Sequence, residues 1–163
     1  MKRIRIFAGI LLMLGLLMPV AAKAEGIVIS GSTTVLPIMQ KVVEAYLKAH
    51  PDLEISLTAS GSGDGIKAII DGTANLAMSS REMKDSELAK AKEKGVDLKP
   101  IAIATDAILP IVNPANPVAD LSRAQLKAIY TGEVTNWKEV GGEDSDIVVV
   151  SRDSSSGTYE AWG

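Results

Sequence analysis

Four short runs of hydroxyl-bearing and glycine residues carry the chemistry that this sequence offers. They are Ser30-Gly31-Ser32-Thr33-Thr34, Ser60-Gly61-Ser62-Gly63-Asp64-Gly65, Ser79-Ser80-Arg81, and Ser151-Arg152-Asp153-Ser154-Ser155-Ser156-Gly157-Thr158. Each follows a stretch that reads as a strand, and three of them lead into a stretch that reads as a helix. The first turn of a helix leaves backbone N–H groups without intrahelical partners, and the helix dipole adds about half a positive charge there. Glycine lets a ligand approach the backbone, and Ser and Thr hydroxyls donate further bonds. Such turns suit phosphate, sulfate or carboxylate. Arg152 would add a bidentate, charge-assisted contact, with Asp153 beside it to hold the guanidinium through an ion pair. One such turn alone is most simply an N-cap. Several in one short chain, each after a strand, point to convergence on a small tetrahedral oxyanion.

Other chemistries are excluded by residue type. The 163-residue chain has no cysteine, which removes disulfides, thiol catalysis and cysteine lipidation, and its single histidine rules out a multi-histidine metal site. No metal and no cofactor is expected. Nothing matches G-x-x-x-x-G-K-[ST], and the glycines of Gly61-Ser-Gly63-Asp-Gly65 are too close for a dinucleotide fingerprint. Ser155 or Ser156 as a nucleophile would need a base, and the one histidine, His50, reads as a solvated residue between a helix and Pro51. The net charge of −3 and the aromatic content of 4% argue against nucleic acid as a partner.

The elements that must position these turns can be read along the chain. Residues 1–24 read as a secretory signal peptide: Lys2, Arg3 and Arg5, then an apolar run over 6–20, then the small-x-small site Ala22-Lys23-Ala24. The apolar run is 15 residues long, whereas a membrane span needs about 20. Cleavage after Ala24 removes four cations and no acid, leaving a net charge of −7. The product is expected to be soluble and periplasmic. Beyond it, 26–30 reads as a buried strand, and 34–50 as a helix with Val35, Met39, Val42 and Tyr46 on one face and Pro37 in its first turn. Residues 53–59 alternate as a strand, with Leu53, Ile55 and Leu57 inward. Residues 65–71 form a short helix, 75–78 a short strand, and 85–94 a surface helix ending at Gly95. An apolar stretch at 101–112 and a turn cluster at 113–117 precede a helix over 121–130, with Ser122 as its N-cap. Residues 147–150 read as a buried strand and 158–162 as a helix start. Strands alternating with helices argue an α/β fold with a largely parallel sheet. The sequence stops at Gly163, about one turn into that last helix, which reads as a truncated chain.

Taken in order, Gly31-Ser-Thr-Thr-Val-Leu-Pro37, Gly61-Ser-Gly-Asp-Gly-Ile-Lys67, Ser79-Ser-Arg81, Ile129-Tyr-Thr-Gly132 with Asn136-Trp137, and Arg152-Asp-Ser-Ser-Ser-Gly-Thr158 resemble the periplasmic phosphate-binding proteins of high-affinity phosphate ABC transporters. The resemblance implies an α/β, type II periplasmic-binding-protein-like fold in which two domains close like a hinge. Here it implies a first domain over 25–106 and an incomplete second domain over 107–163. It further implies that Ser32, Thr33 and Ser62 donate to phosphate from the first domain and that Arg152, Ser156, Gly157 and Thr158 contact it from the second. Thr34, Gly63, Ser79, Arg81 and Asp153 are supporting candidates in the same motifs.

One position departs from the pattern. Many members carry an aspartate after the first serine of the third run, where it accepts the ligand's proton; this chain has Ser80 there, followed by Arg81. Asp64, Ser79 or Ser80 itself would have to supply that acceptor. The function implied is capture of inorganic phosphate for a membrane permease, by a monomer and without catalysis. Another oxyanion such as sulfate, molybdate or tungstate is the alternative ligand. A secreted phosphoester hydrolase, or a surface protein that kept only the fold, would be a different class.

Overall fold

The computed structural model describes residues 26–162; the signal peptide and cleavage site expected within 1–24 lie outside them. Its organising element is a three-stranded parallel sheet in the order β2-β1-β3, built from β1 (Ile27–Gly31), β2 (Ile55–Ala59) and β3 (Leu76–Met78). β1 is central: Ile27 pairs with Ile55 on one side and Ile29 with Leu76 on the other. Parallel neighbours require crossovers. Here these are α1 (Leu36–Ala49) between β1 and β2, and α2 (Ser62–Ile70) between β2 and β3. A further helix, α3 (Asp85–Glu93), follows β3. The expected α/β architecture is thus present.

Two small cores flank the sheet. Ile29, Val35 and Met78 pack with Leu36, Met39 and Val43 on the α1 side. Ile66, Ile70 and Ala91 pack with Ile69, Met83, Val96 and Leu98 between α2 and α3. The buried stripe of α1 differs from the one expected. Val42 and Tyr46 point outward, 54% and 46% exposed, and Leu36 and Val43 take their places. Both stripes share Met39 and both have helical spacing, so the periodicity admits either face and the position of the sheet decides. α2 also begins three residues before the expected start. Gly61 turns the corner with φ 112°, which a side chain would strain, so Ser62 already belongs to the helix.

Residues 113–162 hold α4 (Arg123–Thr131), a 3-10 turn (Trp137–Val140) and α5 (Gly157–Trp162). Ser122 caps α4 as expected, in a reciprocal box with Gln125, and Gly132 ends the helix with φ 78°. The strand expected over 147–150 is not formed. Val148 and Val150 are 83% and 82% exposed, and only an isolated bridge, Asn136 to Asp146, precedes them. The apolar stretch at 101–112 is likewise irregular and exposed, with Ile111 at 93%. A strand exists only where a neighbour takes its N–H and C=O groups, and among the described residues neither run has one.

Candidate anion-binding site

The three strands end side by side, and their C-terminal turns carry the hydroxyl-rich runs. After β1, the Ser32 amide donates to the Met78 carbonyl at 2.9 Å, which ties the first turn to the end of β3. The Ser32 side chain is 1% exposed, and its Oγ accepts from the amides of Thr34 (3.2 Å) and Val35 (3.4 Å). It therefore serves as the cap of the turn into α1. Thr33 is exposed, and its Oγ1 accepts from the Arg152 guanidinium at 3.0 Å across 119 residues of sequence.

After β2, Ser62 is fully buried at the start of α2. Its Oγ accepts from the Ser80 amide at 3.1 Å and lies 3.2 Å from Ser80 Oγ, so the second and third runs share one hydrogen-bonded pair. Ser79 Oγ instead closes a local turn on the Arg81 carbonyl at 2.7 Å.

The fourth run lies across these turns. The Gly63 amide donates to the Ser155 carbonyl at 3.1 Å, and Ser155 Oγ lies 3.0 Å from the Ser60 carbonyl oxygen. Ser156 is 4% exposed, and its Oγ accepts from the Tyr159 amide at 3.4 Å. Gly157 sits so close to Ser62 and Ser80 that a methyl group there would press on both hydroxyls. The amides of Gly157 and Thr158 open α5, where intrahelical acceptors do not exist. Ser32, Thr33, Ser62, Ser80, Arg152, Ser156, Gly157 and Thr158 thus belong to one cluster, spanning the ends of all three strands and the start of α5.

Other candidates are placed differently. Asp153 does not orient Arg152: its carboxylate accepts from the Ser155 amide at 3.0 Å and from the Ser155 hydroxyl. Those bonds, the hydroxyl's first, hold its pKa below the ordinary aspartate value. Arg152 therefore projects with Thr33 as its partner. The Gly63 amide is already taken by Ser155. Thr34 contributes its amide to Ser32, and Asp64 stands exposed on the first turn of α2. Arg81 is a structural residue. Its guanidinium donates to both Glu87 oxygens at 2.9 and 2.8 Å, and its Nε lies 2.5 Å from Glu160 Oε2. The hydrogen bonds with Glu87 keep its pKa above the ordinary arginine value. Sequence reasoning missed Ser155, Glu87 and Glu160. Their roles depend on contacts across as many as 95 residues, for which no local spacing is a signal.

The family model of the PBP superfamily domain matches residues 19–163. The chain belongs to the PBP superfamily. Its relatives include the phosphate-binding protein PstS of Staphylococcus aureus, 40% identical over 133 residues that cover 80% of this chain and 41% of that protein. A phosphate ABC transporter substrate-binding protein from Clostridium perfringens, solved with bound phosphate, is 45% identical with a TM-score of 0.74, covering 84% of this chain and 54% of that one. An ABC-type phosphate transport receptor from Vibrio cholerae is 38% identical with a TM-score of 0.64, covering 83% and 53%. This PBP superfamily chain therefore spans about half the length of the relatives it matches, or somewhat less. Among its described residues, no helix is long and apolar enough to cross a membrane.

Proposed function

We propose that the protein is an extracytoplasmic receptor that captures inorganic phosphate and delivers it to the membrane permease of an ABC transporter. The observation that carries this reading is the meeting of the four hydroxyl-rich runs, linked by Arg152–Thr33, Gly63–Ser155 and Ser62–Ser80. Thr33, Ser62, Ser80, Ser156 and the amides of Gly157 and Thr158 supply directed donors, with Ser32 holding the first turn. Arg152 brings the cationic fork that suits a tetrahedral dianion. Attraction is local, since the chain carries a net negative charge. Relatives named for phosphate binding and phosphate transport support the same ligand.

Binding and release need no covalent step, and the reading assigns no catalysis, no cofactor and a monomeric state. It includes export to the periplasm with cleavage after Ala24, and a boundary between two domains near residue 106. Ser80 and Ser62 hydroxyls can each accept as well as donate, so a protonated phosphate oxygen finds an acceptor in the pair. Titration calorimetry with phosphate, and competition with sulfate, tests the assignment. Arg152→Ala is expected to weaken phosphate binding by about 30-fold or more, the scale of losing one charged partner of an anion. Near-normal binding by this variant would remove Arg152 from the site. Sulfate competing equally with phosphate would leave oxyanion capture without phosphate selectivity.

A further inference from the structure

The contacts of Arg81 single out a residue to which none of the four runs points. Arg81 is 8% exposed in its side chain and sits where the chain leaves β3. It holds Glu87 in two hydrogen bonds, within its own part of the fold. On its other edge, Nε lies 2.5 Å from Glu160 Oε2, and Lys84 Nζ lies 2.9 Å from the same oxygen. Glu160 belongs to α5. Among the described residues, these two pairs are the ion pairs that join α5 to the three-stranded lobe; the others are local to α2 and α3 or to residues 138–144. Glu160 also donates its amide to the Ser156 carbonyl at 3.1 Å, so it stands in the same turn as Ser156, Gly157 and Thr158.

We infer that Glu160 is a positioning residue, an electrostatic clasp with Arg81 and Lys84 that holds the start of α5 against the strand ends and sets how long a bound anion is retained. The inference rests on the phosphate-binding reading for its ligand, but not for its geometry. The clasp has the right partition of contacts. Removing the Glu160 charge leaves the Arg81 Nη groups paired to Glu87, so the lobe keeps its buried cation charge-paired while α5 loses its charged tie. Removing the Glu87 charge does the reverse.

The test compares wild-type full chain with Glu160→Gln, Glu160→Asp and Glu87→Gln. Release of inorganic phosphate is followed by stopped-flow tryptophan fluorescence, since Trp162 on α5 lies 5.2 Å from the Tyr130 ring. Glu160→Gln is expected to speed release about tenfold with association little changed, as truncating one side of a held charge pair acts on dissociation. Glu160→Asp recovers part of the loss, and Glu87→Gln lowers the unfolding midpoint with release within twofold of wild type. The ligand-free proteins give a second measurement: hydrogen exchange at the Gly63 amide, which reports the Ser155 contact directly, is expected to quicken in Glu160→Gln and not in Glu87→Gln. Unchanged release and unchanged Gly63 exchange in Glu160→Gln overturn the clasp, as does Glu87→Gln matching it in both. A wild-type chain that binds no phosphate overturns the functional reading instead, and the exchange measurement then decides the clasp alone.

Discussion

A methyl group added at Gly157 tests whether the two sets of donors must touch. A Cβ there would lie 2.5 Å from Ser80 Oγ, closer still to Ser62 Oγ, and 3.0 Å from Ser62 Cβ. Ordinary contact begins at 3.4 Å, so the approach to Ser80 is short by about 0.9 Å. The hydroxyls can rotate, at the expense of the Ser62–Ser80 pair, but Ser62 Cβ belongs to a helix and cannot. The remaining way out is for α5 to lift from the strand ends, carrying Ser156 and Thr158 with it. Overpacking of this kind costs roughly 1–3 kcal/mol, offset in part by the better helix propensity of alanine, about 0.5–1 kcal/mol in mid-helix. At 1.4 kcal/mol per tenfold, the central net cost of about 1.25 kcal/mol should weaken phosphate binding about 8-fold in titration calorimetry for Gly157→Ala, and the largest, about 2.5 kcal/mol, about 60-fold. Gly63→Ala is the matched control. Its Cβ would meet the Ser155 carbonyl at 3.6 Å and Glu160 Oε1 at 3.7 Å, both ordinary contacts, and binding should stay within twofold. Equal losses in the two variants, or none in Gly157→Ala, would refute close contact between α5 and the Ser62–Ser80 pair.

Two further outcomes concern stability. Ile66 is 2% exposed between α2 and α3, so Ile66→Ala should cost about 2–5 kcal/mol in urea unfolding; a cost below about 1 kcal/mol, within the range of Ile→Val rather than Ile→Ala changes, would mean that this core is not packed as described. The second follows from Glu87, whose pKa is held below the ordinary glutamate value, first by the hydrogen bonds from Arg81. A carboxylate depressed in the folded state contributes stability above its unfolded pKa and loses it as pH falls through the folded one. Unfolding midpoints should therefore drop below about pH 4.5, and Glu87→Gln should flatten that drop; identical pH profiles would exclude Glu87 as a source of acid sensitivity.

Much of residues 26–95 is legible in sequence because their helices and turns are set by local patterns. β1 is a β-branched run, β2 alternates, and α1 carries Pro37 in its first turn and Pro51 beyond its end. Ser122 as an N-cap announces α4 in the same way, and the structure adds its reciprocal bond with Gln125. The run at 147–150 reads as strand material but depends on pairing with neighbours, and composition does not reveal whether a neighbour is there. For the site, residue types marked the right turns. They did not reveal that Asp153 turns to Ser155, that Gly63 is already bonded, or that Arg81 serves Glu87 and Glu160. A charged side chain reaches several ångströms in any direction, and its partner is chosen by the fold.

The approach of α2 to β1 has a consequence for how the proposed site can vary. A Cβ at Gly65 would lie 2.5 Å from Gly31 Cα and 2.6 Å from the Ser30 carbonyl, while one at Gly31 would overlap the Met78 carbonyl. Main chain rests on main chain at the mouth of the sheet, with no side chain between as a spacer. The separation of the first two hydroxyl-rich turns is therefore fixed by the backbone's own thickness. It cannot be widened in small increments by exchanging one side chain for a slightly larger one. Drift at Gly31 or Gly65 is all-or-nothing, and graded tuning of affinity is left to the residues that line the opening from α5.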